Sequence, residues 1–158
     1  MTTTEIREIT VKNYLKKIKN NSLVINRKKR RLAELDAQRM NITAQMGGER
    51  VQTSPRHDQI AELTAQIDEI RGEIIADMVR YEAEKHQAIS VIEQVETDDQ
   101  FNLLNSVYVE YMLLKQAAAK HHINYDNART IHGAALEYIR KNIPAPAGYK
   151  FIPKPKKQ

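Results

Sequence analysis

The sequence predicts an all-α protein: a long antiparallel helical hairpin of coiled-coil type, then a small three-helix helix-turn-helix unit and a basic tail. Three observations carry this expectation. Apolar residues recur every seven positions over most of the first 96 residues, the repeat of packed helices. Lys, Glu, Gln, Ala, Leu and Ile dominate the middle of the chain, with only five glycines and five prolines to break them, which favours helix over strand. The stretch from Ala117 to Asn142 has the small-residue and cap spacing of two helices joined by a tight turn. The expected boundaries are 1–96 for the hairpin, 97–143 for the helix-turn-helix and 144–158 for a basic, flexible tail.

From Glu5 to Met46 there is neither Pro nor Gly, and Val11, Ile18, Ile25 and Leu32 fall seven apart with Tyr14, Leu35 and Ile42 between them. This pattern predicts one long helix with a narrow apolar seam, interrupted by Asn21 and Lys28. Gly47-Gly48 breaks it. Ser54 followed by Pro55 starts the next helix, with Ser as cap and Pro in the first turn, where its missing N–H costs nothing. The second seam runs through Ile60, Ile67, Ile74, Tyr81, Ala88 and Val95, interleaved with Leu63, Ile70 and Val91, while Asp77 and Glu84 fill its remaining positions.

Charge distinguishes the two arms. Residues 1–46 hold 11 Lys and Arg against 4 Asp and Glu, and residues 47–96 hold 5 against 11. A basic helix followed by an acidic one of similar length predicts an antiparallel hairpin; a parallel coiled-coil homodimer is the competing arrangement. The run Arg27-Lys28-Lys29-Arg30-Arg31 points in all directions on a helix, so it reads as a solvated or paired surface.

Thr97-Asp98-Asp99-Gln100 reads as a capping box, with Thr reaching forward and Gln back. Phe101, Leu104, Val107 and Tyr108 give the helix it opens an apolar face. Two shorter helices follow, Leu113 to Lys120 and Asn124 to Lys141. Ala117 and Ala118 allow a close crossing, His121 and His122 form the turn, and Asn124 caps the second helix. Ile123, Ala128, Ile131 and Ala135 recur at helical spacing and face inward, leaving Tyr125, Asp126, Asn127, Arg129 and Thr130 pointing elsewhere. A groove-reading helix needs such a mixture, because Arg bonds bidentately to guanine and Asn to adenine. An ordinary amphipathic helix on a bundle surface has the same spacing. Beyond it, Pro144, Pro146, Pro153 and Pro155 surround Lys150, Lys154, Lys156 and Lys157 in the tail.

Several classes of function lose support. The chain has no cysteine, hence neither disulfides nor a thiolate zinc site. His121, His122 and His132 lack the i, i+4 pairing of a helical metal site, so no metal is expected; His132 is read as packing beside Gly133, where close approach is allowed. No Ser/His/Asp elbow and no phosphate-binding glycine loop is present, so neither an enzyme nor a cofactor is expected. No apolar run reaches about 18 residues and no charged-then-apolar leader opens the chain, so the expectation is a cytoplasmic protein without a membrane partner. A net charge of +5 suits an anionic partner.

The run LLNSVYVEYM, Leu103 to Met112, followed by AAAKHHINYDNARTIHGAAL, Ala117 to Leu136, resembles the ArpU/RinA-like late transcriptional regulators of Gram-positive phages and prophages. Their C-terminal part is similar to region four of bacterial sigma factors, a promoter-reading helix-turn-helix. The segment ERVQTSP, Glu49 to Pro55, resembles the same group, so the likeness spans about Lys12 to Ile143. The chain departs from the pattern at the turn, with His122 where a glycine is usual and His121 where a leucine is usual.

The resemblance implies a sequence-specific regulator of late genes that acts on double-stranded promoter DNA in the bacterial host cytoplasm. Tyr125, Asp126, Asn127 and Thr130 match its base-reading positions, with Arg129 beside them as a further expected base contact. Lys115, Lys120, His122, Arg140, Lys141 and the tail would lie against the DNA backbone. The hairpin would dimerise the protein or engage RNA polymerase. The rival expectation is a non-enzymatic coiled-coil adaptor that binds a host or phage protein.

Overall fold

The computed structural model describes residues 5–45 and 55–156. The Gly47-Gly48 break, the Ser54 cap, the Glu49–Ser54 part of the family-like segment, Met46 and Lys157 lie outside the described residues. The chain is predominantly helical, as its composition predicts. Strand β1 (Arg7–Thr10) leads into α1 (Val11–Gln45), and α2 (Pro55–Glu93) follows. Then come α3 (Asp98–Leu104), a π-helical segment (Asn105–Val109), α4 (Leu114–Lys120), α5 (Tyr125–Asn142) and strand β2 (Tyr149–Ile152).

Two compact units emerge, one of residues 21–81 and one of residues 1–20 with 82–158. This division differs from boundaries at 96 and 143, because both outer ends of the long helices belong with the C-terminal elements.

In the unit of residues 21–81, α1 and α2 pack antiparallel. Ile25, Leu35, Ile67 and Ile74 are buried along the seam, with Leu32, Leu63 and Ile70 half-buried beside them. Lys28 interrupts the seam of α1 and Asp77 that of α2, and the two meet: Lys28 Nζ lies 2.6 Å from Asp77 Oδ2 and 3.5 Å from a Glu73 oxygen. The hydrogen bond raises the pKa of Lys28 and lowers that of Asp77. Arg71 and Asp36 stand 3.9 Å apart further along. A pairing of 28 with 77 and 36 with 71 fixes the antiparallel register within one chain, since a slip would leave charges in an apolar seam. Ile75, Met78 and Val79 remain exposed on another face of α2.

In the other unit the N-terminal residues depart from the expected helix. α1 begins only at Val11, where the Thr10 hydroxyl accepts the Asn13 N–H at 3.2 Å as an N-cap. Ahead of it, β1 pairs in parallel with β2, Arg7 opposite Tyr149 and Thr10 opposite Ile152. Gly148, at φ 90°, makes the turn into β2, a left-handed conformation that a side chain would resist, and its carbonyl accepts the Arg7 N–H at 2.9 Å.

Residues 149–152 are therefore not part of a flexible tail. Tyr149 and Phe151 each set their rings edge-on against Tyr14, with centroids 5.4 Å apart, and Lys17 hydrogen-bonds the Tyr149 hydroxyl while lying over its ring. Aromatic burial outweighs the weak strand signal of four residues between prolines. Val11, Leu15, Ile18, Val91, Ile92, Leu104, Ile139 and Ile143 are among the buried core residues of this unit.

Candidate nucleic-acid interface

The helices α3 to α5 form the scaffold of the candidate site. Thr97 opens α3 by accepting the Gln100 N–H at 3.2 Å, and Gln100 Oε1 accepts the Glu96 N–H at 3.1 Å, one residue before the cap itself. α3 passes into the π-helical segment, closed by Glu110 N–H on the Asn105 carbonyl at 3.1 Å. Tyr111 then turns the chain at φ 62°, and Met112 N–H returns to the Ser106 carbonyl at 2.9 Å. Leu103, Ala117, Ala118 and Ala128 meet in the centre, with Val107, Met112, Leu114, Ile123 and Ile131 packed around them. The three alanines let α3, α4 and α5 approach closely, because a longer side chain at these fully enclosed positions would overpack.

The turn has a defined hydrogen-bond pattern. His121 caps α4, and His122 adopts the left-handed conformation, φ 56°. His122 N–H donates to the Ala119 carbonyl at 3.2 Å and Ile123 N–H to the Ala118 carbonyl at 2.9 Å. This is a Schellman ending, in which the left-handed residue is most often glycine and the next apolar residue packs back on the helix. Ile123 does so. The backbone thus adopts the glycine-type turn although the residue is His122. Asn124 then caps α5, its Oδ1 accepting the Asp126 N–H at 2.8 Å.

Two hydrogen bonds pin this arrangement. Ser106, buried in the π-helical segment, lies 2.8 Å from His121 Nε2. Tyr108, on the same segment, holds His132 Nε2 of α5 at 2.8 Å, with the rings stacked at 5.7 Å. Burial pushes the His132 pKa down to about 4 and raises that of Tyr108, so both are neutral at pH 7. Neither Ser106 nor Tyr108 stands out in the sequence as a positioning residue. A Cβ at Gly133 would meet nothing within 4 Å beyond its own chain neighbours, and the ring of His132 packs on Tyr108.

All five expected base-reading residues are exposed. At about 100° per residue, Asp126, Thr130 and Gly133 form the line opposite buried Ala128 and Ala135, with Asn127 and Arg129 on its two flanks. Asp126 stands in the first turn of α5, where its charge complements the helix dipole. Thr130 donates its hydroxyl to the Asp126 carbonyl at 3.2 Å. Arg129 carries its guanidinium 5.9 Å from the Tyr125 ring centroid, within cation–π range.

The expected backbone contacts divide. Lys115, His122 and Lys141 are exposed. Lys120 instead pairs with Glu110 at 2.8 Å, and Arg140 forks onto Glu137 with bonds of 2.6 to 3.0 Å. That fork raises the Arg140 pKa and lowers that of Glu137. Their charges are locally balanced, which spacing alone did not reveal. Among the described residues no group of three or more His, Cys, Asp or Glu is gathered for a metal ion, and no helix is long and apolar enough to cross a membrane. No protein-family model, curated protein or solved structure matches the chain.

Proposed function

We propose that the protein is a sequence-specific duplex-DNA-binding transcription regulator of the type that controls late genes of phages and prophages, acting in the host cytoplasm. One observation carries the reading: α4 and α5 join through a glycine-type turn, and the first two turns of α5 display Asn127, Arg129 and Thr130 to solvent. In this reading the N-terminal half of α5 enters the major groove. Arg129 pairs with a guanine edge and Asn127 with an adenine edge, and Lys115, Lys141 and His122 meet the backbone. Gly133 supports it, because an exposed glycine inside a helix lowers stability and this one makes no room within the protein. A bare helix surface does allow close approach from outside. Late-gene control and contact with RNA polymerase rest on the family resemblance alone.

The test is anisotropy titration of the chain against its own genome's promoter regions and against random duplex. Asn127→Ala and Arg129→Ala should each relax preference at one base pair, at a cost of about 1–3 kcal/mol. Equal affinity of the unaltered protein for every duplex would refute sequence-specific regulation.

A second reading follows from the exposed Ile75, Met78 and Val79 on α2, which favour a protein partner on the hairpin, as in an adaptor or a homodimer. Ile75→Glu combined with Val79→Glu separates the two: it would abolish partner capture or self-association while leaving binding to isolated duplex intact.

A further inference from the structure

Three lysines far apart in sequence are gathered by the strand pair. Thr10 lies opposite Ile152 in the parallel register, and Lys12 and Lys154 each follow two residues later. Lys16 stands one helical turn beyond Lys12, on the same face of α1. All three are exposed. Burial of its stem and the ammonium groups of Lys16 and Lys154 hold the Lys12 pKa below its ordinary value, and both of those neighbouring charges are positive. His132 registers the same cluster from α5, since Lys12 and Lys154 are the charges that disfavour its protonation. Lys12 and Lys154 are thus within electrostatic reach of His132 on α5.

We infer that Lys12, Lys16 and Lys154 form a phosphate-binding patch that grips the sugar–phosphate backbone of duplex DNA beside the groove entered by α5. The inference rests on the reading of the protein as a duplex-DNA binder. Three ammonium groups held together repel one another, and a phosphate between them relieves that repulsion while releasing counterions. Base identity plays no part in such contacts, so the patch supplies affinity and orientation while α5 supplies preference. The parallel strand pair is what makes it: without β1 and β2, Lys12 and Lys154 would belong to opposite ends of the chain.

The experiment compares the full chain with Lys12→Gln/Lys16→Gln/Lys154→Gln and with the corresponding triple Lys→Arg variant. Binding to a short duplex of arbitrary sequence is followed by anisotropy over a series of salt concentrations. The Gln variant should show a log–log salt slope shallower by about 0.9 for each lysine removed, and the Arg variant should retain the original slope. Preference for a cognate site over arbitrary duplex should stay the same in both. The His132 titration, read by NMR, should move up in the Gln variant; an unmoved titration would overturn the placement of the lysines. A Gln variant with the original slope overturns the patch and leaves DNA recognition by α5 standing. Absence of duplex binding by the unaltered chain overturns both, and binding instead to phosphatidylserine vesicles would assign the lysines to a membrane surface.

Discussion

The Tyr108 hydroxyl and His132 Nε2 lie 2.8 Å apart, so one hydrogen bond ties the π-helical segment to the middle of α5. The bond sets the rotation of α5 about its axis, because His132 flanks the inward face while Thr130 and Gly133 define the outward one. It also carries a pH signature.

Burial and the charges of Lys12 and Lys154 lower the His132 pKa from 6.5 to about 4. The unfolded chain therefore takes up a proton at higher pH than the folded one. Stability from this group is complete above about pH 6.5 and is lost progressively as pH falls through about 4, to a total of up to about 3 kcal/mol. Denaturant unfolding at pH 7 and pH 4.5 checks the slope, and His132→Phe should flatten it. A pH-independent difference between the two proteins would sink the assignment.

His122 holds a left-handed backbone at φ 56°, which costs an L-residue about 1–2 kcal/mol. Glycine avoids that cost but gives up about 0.5–1 kcal/mol of chain entropy. His122→Gly should therefore raise stability by about 0.5–1 kcal/mol, whereas β-branched His122→Val should lower it. Thermal melting of the two variants in opposite directions is the expected result.

A Cβ at Gly133 meets nothing within 4 Å, so Gly133→Ala should stabilise the fold by about 0.5–1 kcal/mol. The same change should weaken duplex binding, and Gly133→Leu should weaken it further, because the outward line of α5 is where a groove would approach. Duplex affinity unaffected by leucine would remove that line from the interface.

Ending the chain after Ala147 deletes β2 and uncovers Tyr14, which Tyr149 and Phe151 otherwise flank at 5.4 Å. Loss of two half-buried aromatic rings and the strand pairing should cost about 2–4 kcal/mol. Removal of a mobile tail would leave the unfolding midpoint where it was, and calorimetry distinguishes the two.

Local chemistry made much of the helical layout legible. Thr97 and Asn124 cap helices where their side chains predict, since a cap is settled within four residues of sequence. Ala117, Ala118 and Ala128 pack where helical spacing puts them. The polar interruptions Lys28 and Asp77 are visible as isolated breaks in two seams, yet their partnership depends on the hairpin register. Lys120 and Arg140 show the limit from the other side: exposed cations by pattern, each is engaged by a nearby carboxylate.

The sequence by itself determined the elements whose reasons are local: seven-residue seams, opposite charges on two arms, caps, small residues at a crossing and a polar outer face on α5. Only the tertiary structure decided that Arg7–Thr10 leaves the helix to pair with Tyr149–Ile152, and that Lys12 and Lys154 thereby become neighbours. It also decided that Tyr108 and Ser106 hold His132 and His121. The physical reason is the same in each case. A four-residue strand or a single hydrogen bond has no periodicity to read, and its free energy exists only once distant segments have been brought together by the apolar burial around Tyr14 and Leu103.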